Sequence, residues 1–334
     1  MPFDILACGF NAHGQLLPSD DDAIPADIFT PTVIARAETS ARILFAGWSE
    51  TLLELDNKLH HRGAGSLQPL PQSCKPPYRA FGDGLGLKVI LGGGGGGGGG
   101  SGHTTAYVRA PSGAWECHPL ASEIHLLAIA GNGKVLSSTS NGTGTPPHPT
   151  RPIHIHFTHS IPSPPYARGH IYTAGDPRHG RLLARDTGTS TAPPDAPGLV
   201  DALDGIAMAG VAAGGWVGAA RSAERDVYLW GGRAGEDGGV ICDLGGVGAD
   251  GGEEVGVVDV ERGADVVGVG VGMGHVVVLT EGGRVWGVGR AGSGQLGVGG
   301  EEFCEEWREI DIGEGRVVEV VAGGWATFVV VERP

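Results

Sequence analysis

Three stretches of this chain share one spacing: ACGFNAHGQL at 7–16, TAGDPRHGRL at 173–182 and VGRAGSGQL at 288–296. Each holds two glycines five residues apart, Gly9 and Gly14, Gly175 and Gly180, Gly289 and Gly294, and a leucine comes two residues later at Leu16, Leu182 and Leu296. A second recurrence lies upstream of the first: a small-residue turn, an aromatic or histidine, an apolar run, a polar turn and another apolar run. It starts at Ala46, Ala213, Gly272 and Ala322. Trp216 precedes Gly231 by 15 residues and His275 precedes Gly289 by 14. A unit opened by Trp325 would need its glycine at about position 340, past Pro334, while ILACGFNAHGQL begins without a preceding half. A repeat cut in this way leaves each terminus holding part of one unit, so that a closed ring forms when the N-terminal strand pairs with the C-terminal strands.

Each unit reads as short strands joined by Gly, Asn or Asp turns such as Asp56-Asn57, Gly131-Asn132-Gly133 and Glu281-Gly282-Gly283. With 62 glycines and 22 prolines in 334 residues, a helical fold is disfavoured, since each glycine inside a helix costs about 1 kcal/mol against alanine. Disorder is disfavoured as well, because 40% of the residues are apolar and can fill a core. The expected fold is therefore an all-β propeller formed by residues 1–334 as a single domain. Spacings of 55 residues from Trp48 to His103, 59 from Trp216 to His275 and 50 from His275 to Trp325 suggest six blades. The match of HLLAIAGNGKVL, from His125, to HVVVLTEGGRVW, from His275, leaves room for seven shorter ones. The glycine run at 92–100 is expected to be an insertion whose deletion leaves the fold intact, and 137–152, 187–198 and 235–254 are expected to be flexible loops.

A net charge of −15, from 38 acidic and 23 basic residues, opposes direct binding to nucleic acid. The five cysteines, Cys8, Cys74, Cys117, Cys242 and Cys304, are odd in number and scattered, which fits a reducing compartment. No signal-like or membrane-length apolar run is present, so the chain is expected in the cytoplasm, with the nucleus as a second location.

No constellation for catalysis, a cofactor or a metal stands out. Gly287–Gly292 spells a dinucleotide-binding G-x-G-x-x-G, but the next residues, SGQLGVGG, do not read as the helix that would hold a pyrophosphate. His154, His156 and His159, His60 and His61, and Cys117-His118 lack the third ligand that a zinc site needs. Trp48, Trp216 and Trp325 recur at what reads as the position of His275, which predicts a shared packing role between blades. Trp307, set among Glu301, Glu302, Glu305 and Glu306, is the aromatic expected to be most exposed and is the candidate for binding a partner.

The unit GMGHVVVLTEGGRVWGVGRAGSGQLGVG at 272–299 resembles the repeat of the regulator of chromosome condensation family. ACGFNAHGQL, with Asn11 and Gln15, is the next best match. The resemblance runs unevenly along the chain and is poorest between 67 and 165. It implies a seven-bladed propeller closed by an N-terminal strand, non-enzymatic and working through protein partners. One branch of the family comprises exchange factors for the small GTPase Ran, which carry a basic tail for chromatin. This chain is acidic and starts its first strand at once. A second branch, the fungal α-tubulin suppressor proteins, is closer in format. For this chain it implies a regulatory partnership with a small zinc-binding electron carrier in diphthamide synthesis, and with Elongator in modification of tRNA wobble uridines. None of that branch's interface residues can be placed on this sequence.

Overall fold

In the computed structural model, the described residues are 1–18, 24–64, 70–83, 86–93, 104–110, 112–119, 126–129, 135–138, 155–159, 170–174, 183–185, 192–193, 198–214, 217–231, 255–261 and 263–334. Apart from one turn of 3-10 helix at Asp201–Leu203, their regular structure is β. The strands are β1 (Phe3–Gly9), β2 (Ile28–Ala37), β3 (Ala41–Ala46), β4 (Glu50–Leu55), β5 (Lys58–Gly63), β6 (Lys75–Asp83), β7 (Gly86–Gly93) and β8 (Thr104–Arg109). Next come β9 (Trp115–Pro119), β10 (Leu126–Ile129), β11 (Val135–Ser138), β12 (Ile155–His159), β13 (His170–Ala174), β14 (Gly198–Leu199), β15 (Met208–Gly214) and β16 (Val217–Ser222). The last are β17 (Val227–Gly231), β18 (Gly256–Val258), β19 (Val266–Val271), β20 (His275–Thr280), β21 (Val285–Arg290), β22 (Phe303–Ile310), β23 (Arg316–Gly323) and β24 (Ala326–Glu332).

Antiparallel pairing gathers these strands into the blades of a β-propeller. Blade I is β23-β24-β1-β2, blade II β3-β4-β5, blade III β6-β7-β8-β9, blade IV β15-β16-β17-β18 and blade V β19-β20-β21-β22. Blade I joins the two ends of the chain, with β1 lying between β24 and β2 in register from Phe3↔Glu332 to Gly9↔Ala326. The closure expected from the cut repeat is thus present. The first strands of successive sheets lie against one another, β15 on β19, β19 on β23, β23 on β3 and β3 on β6.

Five blades among the described residues are fewer than the seven or six that the resemblance and the spacings lead one to expect. The shortfall lies between residues 120 and 200, whose described residues supply a two-stranded ladder, β10-β11, and the sheet β12-β13-β14, whose last strand has two residues. Proline cannot donate to a ladder, and this stretch is interrupted by sequences such as SSTSNGTGTPPHPTRP, IPSPPYARG and TGTSTAPPDAPG.

The second strand of a blade is covered on both faces by its neighbours, so it is buried even where it carries polar residues. β4, ETLLEL, and β20, HVVVLT, are buried along their whole length. Because successive side chains point to opposite faces, β24 feeds two separate cores. Phe328 and Val330 join Ile5, Leu16, Ile43 and Leu53 between blades I and II, whereas Val329 and Val331 join Leu6, Val277 and Leu279 between blades V and I. Further slabs lie between blades IV and V and between blades II and III. The outermost strand β22, FCEEWREI, covers one side only and keeps its charged residues in solvent.

The glycine run is not wholly an insertion. Gly92 and Gly93 belong to β7, paired with Thr105 and Thr104, and a side chain at Gly92 would collide with Cys74 Sγ. Residues 94–100 lie outside the described residues. Ser137 and Ser138 end β11 and Gly198 opens β14. Within 187–198, the carbonyls of Ala192 and Pro193 accept hydrogen bonds from the buried Arg185 guanidinium at 2.7 and 3.0 Å. Residues 235–254 lie outside the described residues.

Candidate protein-docking face

Strand direction gives the ring two unlike ends. At one, here the upper end, lie the turns between first and second strands and the connections between third and fourth. At the lower end lie the turns between second and third strands, such as Glu281–Arg284 in blade V. The upper end of blades V, I and II carries the candidate site.

The strand ladders correct the alignment of the tryptophans. Residues facing the repeat glycine across the second and third strands are Glu50 (opposite Gly63), Val217 (opposite Gly231), His275 (opposite Gly289) and Ala326 (opposite Gly9). The residue after each glycine confirms the register: Phe10, Ala64 and Arg290 donate their N–H to the carbonyls of Trp325, Ser49 and Gly274. Trp325 therefore stands one position before the His275 site and Trp48 two positions before it. Trp216 lies outside the described residues, immediately ahead of Val217. The true equivalent of His275 in blade II is Glu50, and that of Trp48 in blade V is Met273. Gly9, Gly14, Gly289 and Gly294 have φ of +127°, +65°, +106° and +84°, while Gly175 and Gly180 lie outside the described residues. At Gly289 a Cβ would run into the Gly274 carbonyl, so both its conformation and the close chain approach require glycine.

Trp48 and Met273 protrude, 47% and 45% exposed, from equivalent turns on either side of Trp325. The rings of Trp48 and Trp325 are 6.4 Å apart, Phe10 lies 5.6 Å from Trp325 and 6.3 Å from Trp48, and His13 lies 5.7 Å from Trp48. Together they form one aromatic patch across the seam where the ring closes. The Met273 N–H donates to the Gly324 carbonyl at 2.7 Å, tying the turn of blade V to that of blade I.

Gln15, itself buried, holds the patch together. Its Nε2 donates to the carbonyls of Phe10 at 2.7 Å and Trp48 at 2.9 Å, and its Oε1 accepts the His13 N–H. Asn11 braces the same connection, its Oδ1 accepting from the Leu16 and Leu17 N–H groups and its Nδ2 donating to the Leu17 carbonyl. Phe29, 44% exposed, and Ile24, 80% exposed, lie at the far end of this β1–β2 connection. Among the described residues, four of the eight exposed large hydrophobic residues therefore sit at the upper end of the ring. What sets the upper end apart is the contiguity of Trp48 with Phe10, His13 and Trp325, since a contiguous exposed patch, unlike single scattered residues, marks an interaction site.

Glu301 and Glu302 are exposed in the β21–β22 connection, at the same end, and Glu305 and Glu306 are exposed on β22. Trp307 does not protrude among them. It is half-buried and packs with Trp286 against the core between blades IV and V, because its place in β22 turns it toward the sheet.

Beneath the patch lies a group that sequence reasoning missed. Glu50, 2% exposed, meets His61 Nε2 at 2.6 Å and Arg109 Nη1 at 3.2 Å, and accepts the Leu87 N–H at 2.6 Å. Arg109 and Leu87 belong to blade III, so Glu50 clamps blade II to blade III. Burial alone would raise its carboxyl; the His61 hydrogen bond, the Leu87 N–H and the charges of His61 and Arg109 outweigh that and hold it below the ordinary value. The available signal was its place at the His275 position. His275 itself is fully buried, and burial pushes its pKa down to about 4, leaving the ring neutral. Glu50 thus serves as a polar clamp between blades and His275 as a buried packing residue.

Among the described residues, no three of His, Cys, Asp and Glu gather as a metal site would require, and no helix is long and apolar enough to cross a membrane. His156 and His159 pair with Thr173 and His170 in the ladder β12-β13, and His154 lies outside the described residues. Gly287 and Gly289 are strand residues of β21, whose end leads into a turn.

No protein-family model matches the chain. It is similar to RCC1 domain-containing protein 1 of Homo sapiens, with 29% identity over 198 residues, 49% of this chain and 52% of that protein. It is also similar to the human E3 ubiquitin-protein ligase HERC2, with 32% identity over 47% of this chain and 3% of the ligase. The matches thus span about half the length of the first relative and a small part of the second. Among solved structures, Prp20p of Saccharomyces cerevisiae, studied for its binding to Gsp1p and histones, superposes with a TM-score of 0.65 at 13% identity, covering 100% of this chain and 92% of that one. Yeast RCC1 (Prp20) bound to Kap60 superposes with a TM-score of 0.56 at 14% identity, covering 100% and 90%. At such identities these two speak for the fold alone.

Proposed function

We propose that this chain, an RCC1-like β-propeller, is a non-catalytic protein-interaction module whose partner docks on the upper end, over Trp48, Trp325, Phe10, His13 and Met273. The observation carrying this reading is the aromatic patch at the seam, half in solvent and held in place by the buried Gln15. Interfaces draw most of their energy from a few central aromatic anchors, and truncating one costs about 2 kcal/mol or more, roughly thirtyfold in affinity. Affinity capture from the native source with wild-type and Trp48→Ala baits tests it. The expected result is a partner retained by the wild type and depleted more than tenfold from the variant at equal folded protein. An unchanged set of partners would remove the reading.

Two finer assignments divide this class. Likeness in format to the α-tubulin suppressor branch is the ground for a regulatory partner of a small zinc-binding electron carrier and of Elongator. The exchange-factor branch of the family that the repeat resembles is the ground for the alternative, nucleotide exchange on Ran. Recovery of the zinc protein or of Elongator subunits in the capture supports the first. Accelerated release of a labelled nucleotide from Ran by the purified chain supports the second, and no acceleration at micromolar protein removes it.

A further inference from the structure

We infer that the segment docking on this face is a basic peptide, with an arginine or lysine side chain seated on the exposed ring of Trp48 beside its aromatic neighbours. The inference deepens the docking reading above and rests on it. Three observations carry it.

The first is the form of the patch. Trp48 presents close to half of its surface to solvent beside the exposed His13 and the half-buried Phe10 and Trp325, so aromatic surface is open to a ligand chiefly at Trp48. Such faces attract cations. The second is that two of the other tryptophans already carry a cation. Arg109 lies 6.0 Å over the Trp115 ring and Arg284 5.8 Å over the Trp286 ring, whereas among the described residues no arginine or lysine covers Trp48 or Trp325. The third is charge. The exposed Glu301 and Glu302 stand at the same end of the ring, on the blade next to the seam, in a chain of net charge −15. That field draws a basic segment in and repels acidic peptides and nucleic acid.

The test uses the full chain and a fluorescent peptide alternating arginine with glycine. Two counterparts of equal length carry citrulline, which keeps the shape without the charge, or glutamate, in place of arginine. Binding is read by anisotropy. The arginine peptide is expected to bind with an affinity that falls as salt is raised, and the citrulline and glutamate peptides at least tenfold more weakly. Trp48→Ala is expected to weaken the arginine peptide roughly two- to thirtyfold, the range of a cation seated on an aromatic ring. Glu301→Lys with Glu302→Lys is expected to weaken it without changing the thermal midpoint. Equal binding of the citrulline peptide, indifference to Trp48→Ala, or no binding of the arginine peptide would overturn the inference. A natural partner lost on Trp48→Ala but indifferent to salt and to the two lysine substitutions would also overturn it, while leaving the docking face standing.

Discussion

Replacing Glu50 by alanine is expected to destabilise the protein by about 3–5 kcal/mol, the usual cost of removing one member of a buried ion pair. The substitution leaves Arg109 without its carboxylate, His61 without its 2.6 Å partner and the Leu87 N–H without its acceptor, all at the joint between blades II and III. The thermal midpoint should fall by several degrees. Glu50→Gln keeps an acceptor for Leu87 and loses the charge, so it should fall between the two. Glu306→Ala, on the exposed side of β22, should stay within about 0.5 kcal/mol of the wild type. The pH dependence has a fixed sign. The native carboxyl titrates below the ordinary value of 4.5, so its contribution is complete above that value and drains away as pH falls through the lowered native one. Denaturant titrations at neutral pH and near pH 4 check both points. A Glu50→Ala midpoint equal to that of the wild type would show that blades II and III do not depend on this clamp.

Deleting residues 1–9 is expected to abolish cooperative unfolding altogether. β1 is an inner strand of blade I, bonded on both sides, and its side chains feed two cores at once. Ile5 points into the slab between blades I and II and Leu6 into the slab between blades V and I, both almost without exposure. Their burial alone contributes about 3–6 kcal/mol, against a total stability of roughly 5–15 kcal/mol for a typical domain. The deletion also leaves β2 and β24 with unpaired edges, which invites association between chains. Circular dichroism and light scattering on the truncated chain check it, with a synthetic peptide of residues 1–9 added back as the control. A truncated chain that melts like the intact one would mean that the ring does not need this strand.

Ring closure was legible in the sequence because it depends on positional glycines. Gly9 and Gly289 occupy left-handed conformations at one point of the blade, where another side chain would strike a neighbouring carbonyl, so their spacing survives divergence elsewhere. The aromatic positions were less legible because tryptophan stands at different places in turns of equal length. Ala46↔Thr51, Val271↔Val276 and Ala322↔Thr327 each enclose four residues, with Trp48 second in its turn and Trp325 third. A text alignment that sets tryptophan upon tryptophan therefore slips against the ladder, and it hid both the equivalence of Glu50 with His275 and the exposure shared by Trp48 and Met273. Trp307 misled for another reason: the glutamates around it signal solvent, but a register shift opposite Gly287–Gly289 breaks strict alternation in β22, and the indole packs on the core between blades IV and V. Between residues 120 and 200, runs of proline, serine and threonine leave too few strand-forming residues to fix a blade count from sequence.

Site-specific photocross-linking in the native cell is the most direct test of the account, since it reports which end of the ring meets a partner. A photoreactive residue is placed at position 48 on the upper end or at position 282 on the lower, where a side chain has room. The account predicts a discrete protein adduct from position 48 and none from position 282. An adduct from position 282 alone, or none from either position, would contradict it.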